Sequence, residues 1–239
     1  MGGGVGLSVH APYRVATSKT LFAMPETGIG LLPDVGGSFF LPRLEGELGT
    51  FLALTGHRLK GSDCLHAGIA THACTDKEAL KTDLINAQNV EEVEAILEKH
   101  AEAFDEDSFS LEDKLPLIDE CFKEHSVESI LDNLRQVNDE WSLKTAALME
   151  KMSPISMKIT LKMLRLGKNL SLEDCLKMEY RLVRRCCEDS DFYEGVRALL
   201  VDKDNQPKWS PGKLDQVSDE IIDRYFAELP SNEELKIIA

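Results

Sequence analysis

The sequence predicts a mixed α/β unit followed by a mainly helical region, and three observations carry that expectation. Up to about residue 71 the chain is rich in glycine, proline and short apolar runs. From Asp76 onward, apolar residues recur at three- and four-residue spacing behind one helix-start signal after another. No internal repeat and no low-complexity linker separates the two parts, so the helices are expected to pack as an extension on the first part. The composition shift places the boundary at residue 74, giving residues 1–74 and residues 75–239.

In chain order, residues 5–9 suit a first helical turn behind Gly2-Gly3-Gly4. Residues 13–16 and 21–24 carry short strand-like runs, and residues 47–54 and 62–67 carry helical ones. Beyond the boundary, capping-box-like starts stand at Thr75 with Glu78, Ser110 with Asp113, Ser171 with Asp174, and Ser231 with Glu234. Several stacked helices are expected from them.

With 239 residues, 43% of them hydrophobic, the chain is long enough and apolar enough for a real core. A net charge of -15 with no concentrated basic patch argues against a nucleic-acid partner. An anionic small ligand stays compatible with it, provided a local basic rim exists. The six cysteines have no CxxC or paired metal spacing, which fits a reducing compartment better than a disulfide framework. No apolar run reaches membrane-spanning length, so no membrane partner is expected. The first residues lack a targeting pattern, and the last four, Lys236-Ile237-Ile238-Ala239, do not form a peroxisomal ending.

Two segments can carry chemistry. Gly2-Gly3-Gly4-Val5-Gly6 fails as a dinucleotide fingerprint because Leu7 stands where the third glycine is needed. An oxyanion-binding backbone at a helix start and a plain flexible glycine stretch both remain open for it. Its position directly after Met1, with no strand ahead of it, points to an incomplete front.

The second segment, residues 24–37, sets Glu26 and Asp34 among Met, Pro, Ile, Leu and glycines. Such acids sit either at turn tips facing water or in an apolar pocket, where the carboxyl pKa rises toward neutrality and general acid/base work becomes possible. The pair leaves these two readings evenly balanced. The six histidines form no HExxH or i,i+4 pair, and no nucleophile elbow is present, so a metal or triad mechanism is disfavoured. Cys186 and Cys187 suit packing, and Lys203 and Lys208, in a basic-aromatic turn after a helix, suit a solvated surface.

Several blocks, taken in order, carry a resemblance: residues 1–10, Phe22-Ala23-Met24-Pro25-Glu26-Thr27, Leu32-Pro33-Asp34-Val35-Gly36-Gly37, Leu52-Ala53-Leu54-Thr55-Gly56, Met152-Ser153-Pro154, Lys158-Ile159-Thr160-Leu161 and residues 191–209. Together they resemble the crotonase (enoyl-CoA hydratase/isomerase) superfamily, and within it the branch that hydrolyses 3-hydroxyisobutyryl-CoA. The acidic stretch 76–144 matches only in character. The fold this implies is a partial crotonase core, a ClpP-like ββα spiral, followed by the helical region.

The resemblance also implies the site. The superfamily holds a thioester oxyanion between two backbone amides, one of which falls on Gly3. The other belongs to a segment that would precede Met1, so the chain as it stands is expected to lack half of the oxyanion hole and to be impaired or inactive. Hydratases carry glutamate where this chain has Gly6 and glycine where it has Asp34, which places it on the hydrolase side. Glu26 holds the acid position that both groups share.

The implied chemistry is thioester hydrolysis. Glu26 acts as nucleophile or general base, and Asp34 orients the substrate hydroxyl or the water. Gly3, Glu26 and Asp34 together form the substrate and oxyanion contacts. The implied partner is an acyl-CoA, with CoA part of the substrate and neither a separate cofactor nor a metal, and a homo-oligomer is compatible. The implied setting is valine breakdown in the mitochondrial matrix. Two other readings stand beside this one: an enoyl-CoA hydratase or isomerase, and a non-enzymatic remnant acting as an interaction module.

Overall fold

The computed structural model describes residues 1–101 and 108–237. Contacts divide the chain into two compact units, each assembled from separated stretches. The first comprises residues 3–22 and 58–114 together with Met1, and the second residues 23–57 and 115–239 together with Gly2. The composition change near residue 74 therefore falls inside the first unit.

The first unit holds the strands found among the described residues, each two residues long. Val15–Ala16 pairs in parallel with His72–Ala73, and Leu21–Phe22 pairs antiparallel with Leu59–Lys60. Arg14 fixes the first pairing: its guanidinium donates to the carbonyls of Ala11, Gly68 and Ile69, while its own carbonyl accepts from Thr71 and His72. The expected strands at 13–16 and 21–24 thus occur, shortened to the last two residues of the first and the first two of the second. The expected helix at 62–67 occurs as Ser62–His66.

Two longer helices follow in this unit. Lys77–Ile85 is capped by Asp76, whose carboxylate accepts from the amides of Glu78 and Ala79, so the cap is one residue beyond the expected Thr75. Val90–His100 is capped by Asn89. Their apolar faces meet in a small core of Cys74, Leu80 and Leu97, flanked by Tyr13, Leu84, Val93 and Ile96. Ser110 does not start a helix in the expected manner. Its amide and hydroxyl both bond the carboxylate of Asp63, and only the short 3-10 turn Glu112–Lys114 follows.

The second unit is helical. Leu48–Thr55 is buried at every position, because its sequence, LGTFLALT, has no polar face. Gly49 allows it to approach the preceding turn, since a Cβ there would stand 1.8 Å from the carbonyl oxygen of Leu41. Leu115–Phe122, Glu140–Met149 and Pro154–Gly167 pack against it, and Val127–Val137, Leu172–Glu188 and Asp219–Phe226 complete the unit. Phe51 and Phe122 meet edge to face, with ring centroids 5.4 Å apart.

Ser153 caps Pro154–Gly167 and Ser171 caps Leu172–Glu188, the latter in the expected register with Asp174. Ser231 with Glu234 gives only a turn, in which the amides of Glu233 and Glu234 reach the carbonyl of Pro230. No helix among the described residues is long and apolar enough to cross a membrane.

Candidate active site

Glu26 opens the 3-10 turn Glu26–Ile29 directly after Pro25. The fixed φ of proline presets the entry, and Gly30, at φ 72°, reverses the chain at the exit by returning its amide to the carbonyl of Glu26. The turn is pressed from the other side by the helix Ser190–Val196. A Cβ at Gly195 would lie 2.4 Å from the backbone of Ile29, and one at Gly30 would lie 2.4 Å from that of Asp191. Two glycines facing two backbones leave the turn no room to move.

The Glu26 side chain is only 6% exposed, and among the described residues its Oε2 has no hydrogen-bond partner. Burial pushes its carboxyl up from an ordinary 4.5 to about 7, and the negative charge of Asp34 acts in the same direction. The buried, partnerless oxygen decides between the two readings of the sequence: Glu26 is a pocket acid and not a turn tip. An unsatisfied buried carboxylate is costly for a fold and useful for a reaction, since its lone pairs are available to a water or a carbonyl carbon.

Asp34 lies beyond Pro33 on the loop that leads into the short helix Gly37–Phe40. It is partly buried, and burial raises its carboxyl pKa. The chain turns sharply just after it: Val35 has φ 54° and Gly36 φ 86°, and the amide of Gly37 closes the turn on the carbonyl of Asp34 at 2.9 Å. A β-branched residue at positive φ is a strained conformation that its surroundings must hold in place.

Those surroundings are supplied by Glu179, from the helix Leu172–Glu188. Its carboxyl is 3% exposed and accepts from the Gly36 amide at 2.8 Å, the Ser38 amide at 2.9 Å and the Ser38 hydroxyl at 2.5 Å. Burial raises its pKa, the Ser38 hydroxyl and the two amides oppose that rise, and Asp34 adds to it. The sequence reading passed over Glu179. A signal was available, because Cys175, Met178, Leu182 and Cys186 form the buried stripe of this helix, and residue 179 falls on the same face.

Asp191 is a second buried acid missed in the sequence, where residues 191–209 suggested an ordinary helix and turn. It is 5% exposed and accepts from the Ser153 hydroxyl at 2.6 Å and the Ser210 amide at 2.8 Å. The amide of Ser153 donates to the carbonyl of Thr27, so this network supports the Glu26 turn. Farther along, Arg197 gathers Glu194, Asp202, Asp204 and the Gln206 carbonyl around one guanidinium. Lys203 and Lys208 are exposed, as a solvated surface requires.

Gly3 belongs to the other compact unit. It opens the helical turn Gly3–Gly6, so its amide is among those that a helix start leaves without an internal carbonyl partner. The turn begins two residues earlier than expected, and a Cβ at Gly3 would meet no atom within 4 Å.

Met152, whose sulfur would stand 3.4 Å from a Cβ at Gly28, lines an open cavity of about 620 Å³ with Leu131, Met149, Met157 and Leu214. None of the buried acids lines it, so the acid cluster is the better candidate for chemistry. Cys186 is buried with its thiol pushed up by that burial, while Cys187 is exposed, and both are free. Among the described residues no three or more His, Cys, Asp or Glu side chains converge to hold a metal ion.

The sequence pattern of the enoyl-CoA hydratase/isomerase family matches residues 1–226. The mitochondrial 3-hydroxyisobutyryl-CoA hydrolases of Mus musculus and Homo sapiens are each 50% identical to 98% of this chain, and that of Danio rerio is 49% identical to 96% of it. The chain spans 62% of the length of each of these relatives. Among solved structures, a carnitinyl-CoA dehydratase from Mycobacterium thermoresistibile superposes with a TM-score of 0.88 at 36% identity, covering 97% of this chain and 66% of that one. An enoyl-CoA hydratase from Rhodobacter sphaeroides 2.4.1 gives a TM-score of 0.82 at 32% identity, covering 99% of this chain and 68% of that one. The mixed α/β core with a helical C-terminal region is therefore the crotonase fold, and this chain belongs to the enoyl-CoA hydratase/isomerase family.

Proposed function

We propose that the protein hydrolyses the thioester of 3-hydroxyisobutyryl-CoA, releasing 3-hydroxyisobutyrate and CoA. The observation that carries this reading is the buried, partnerless Oε2 of Glu26, with the carboxyl near neutrality and under the influence of the Asp34 charge. The superfamily resemblance assigns polarisation of the thioester carbonyl to backbone amides, one of them that of Gly3. Glu26 then attacks the carbonyl carbon to give a mixed anhydride, or takes a proton from the attacking water. In either course the carbon–sulfur bond breaks, the thiolate leaves with a proton and one water is consumed. In the anhydride course that water opens the anhydride at the Glu26 carbonyl carbon and its oxygen stays in the Glu26 carboxyl, whereas in the general-base course its oxygen ends in the product acid. Asp34 receives the substrate hydroxyl or orients the water.

The hydrolases at about 50% identity support this choice over hydration of a double bond, as do Gly6 and Asp34 at the two positions that separate the branches. CoA enters as part of the substrate and no separate cofactor takes part. Relatives named as mitochondrial support a mitochondrial setting, and the proposed substrate favours valine breakdown in the matrix.

The experiment is thiol release from 3-hydroxyisobutyryl-CoA, run on the 239-residue chain and on the longest form its gene encodes, with Glu26→Gln beside each. Release that collapses in the variant supports the reading. Release that persists unchanged in the variant overturns the assignment. A single turnover in ¹⁸O-water separates the two courses, because only the anhydride route leaves label in the Glu26 carboxyl.

A further inference from the structure

We propose that Glu179 is the positioning residue of the site: by clamping the backbone of Gly36 and Ser38 it sets where Asp34 presents its carboxyl. The inference rests on the hydrolytic reading of Asp34 and adds to it the device that places that residue. All three donors to Glu179 come from the four residues that follow Asp34. The clamp is almost wholly excluded from water, so these bonds meet no solvent competition.

The clamp is needed because the intervening turn is not one the chain adopts unaided. Val35 and Gly36 are both at positive φ, and an unsupported valine would relax from that region. The two Glu179 oxygens take the amides on either side of Gly37, which fixes the direction in which the chain leaves the turn. The far side is fixed as well, since Gly167 lets the helix Pro154–Gly167 approach until a Cβ there would stand 2.1 Å from the Ser38 carbonyl oxygen. Held between the two helices, the Asp34 loop has one arrangement.

Glu179→Gln keeps size and shape but turns an amide N–H against one of two backbone N–H groups. The expected result is a fall in kcat for 3-hydroxyisobutyryl-CoA of about a hundredfold, the scale of a misplacement near 1 Å, with KM changed by about threefold or less. The Asp34 side-chain carboxyl, observed by ¹³C NMR, should shift its resonance and its titration midpoint. Ser38→Ala removes only the hydroxyl donor and is expected to give a smaller fall of about tenfold or less, with the Asp34 resonance moved in the same direction.

A folded Glu179→Gln protein with wild-type kcat and an unmoved Asp34 resonance overturns the inference. If that variant does not fold, Ser38→Ala decides: a moved resonance at unchanged melting temperature supports the clamp, and an unmoved one overturns it. If the wild-type protein hydrolyses no thioester, the reading of the reaction fails, while the Asp34 resonance in the two variants still tests the clamp.

Discussion

The backbone joining Asp191 to Phe192 occupies the space that a side chain at Gly30 would need: a Cβ there would lie 2.4 Å from the Asp191 carbonyl and 2.7 Å from the Phe192 nitrogen. Gly30 is also at φ 72°, so an alanine meets both a steric and a conformational penalty. Gly30→Ala is expected to destabilise the protein by about 2–4 kcal/mol, combining overpacking with the cost of a left-handed residue. Gly195→Ala, facing Ile29 from the partner helix, should cost about 1–3 kcal/mol through overpacking alone. Denaturant unfolding measures both.

Glu26 predicts a pH dependence of stability whose sign follows from its environment. Its folded pKa is raised to about 7 from 4.5, so between those values the folded state binds more protons than the unfolded one. Below that window the group contributes no penalty. As pH rises through it the native state loses stability, by roughly 3 kcal/mol when the window is crossed. Glu26→Gln removes this titration, so the stability difference between the variant and the wild type should grow in the variant's favour from pH 5 to pH 8. Unfolding curves at the two pH values check the slope, which is insensitive to any constant offset from the new amide.

Asp34 is predicted to read the hydroxyl of the substrate. A partly buried acid paired with a substrate hydroxyl is left unsatisfied by an analogue that lacks it, and such sites discriminate strongly. The wild-type protein should prefer 3-hydroxyisobutyryl-CoA over isobutyryl-CoA, and Asp34→Asn should narrow that preference by about tenfold or more. The measurement is kcat/KM for both thioesters with both proteins. An unchanged ratio would assign Asp34 to the water and not to the hydroxyl.

Ser153 does two things at once, capping Pro154–Gly167 and donating to buried Asp191. Ser153→Ala is expected to cost about 2–4 kcal/mol, from a lost cap together with an under-satisfied buried carboxylate. Ser156→Ala, in the same helix start but without the acid partner, is the comparison: thermal unfolding should show it distinctly milder.

What the sequence made legible here depended on distance along the chain. Glu26 and Asp34 stood out because both lie within one short Gly/Pro-shaped apolar loop, where an acid is anomalous on its face. The helices at 48–55, 62–66 and 172–188 were legible for the same local reason, since a helix-compatible run is written within a few residues, and at 172–188 the Ser171 cap and an apolar stripe add to it. Glu179 lies 143 residues from its partner Gly36, and nothing local announces that pairing. Its one trace is an acid on an otherwise apolar helical stripe. Asp191 was hidden by its neighbours, because Asp189 and Glu194 make it resemble one more acid on a charged surface. Whether Glu26 was a turn tip or a pocket acid depended on the helix Ser190–Val196 pressing on its turn, a contact between segments more than 160 residues apart.

Hydrolysis requires Glu26 to act on the thioester carbonyl. The most direct measurement is the rate of free-thiol release from 3-hydroxyisobutyryl-CoA set against the rate of hydration of a 2-enoyl-CoA, for wild-type protein and Glu26→Gln. Hydrolysis is expected to exceed hydration in the wild type and to fall by about 10²–10⁴ in the variant, the range for loss of a positioned acid or base. Hydration exceeding hydrolysis, or thiol release unaltered by Glu26→Gln, would contradict it.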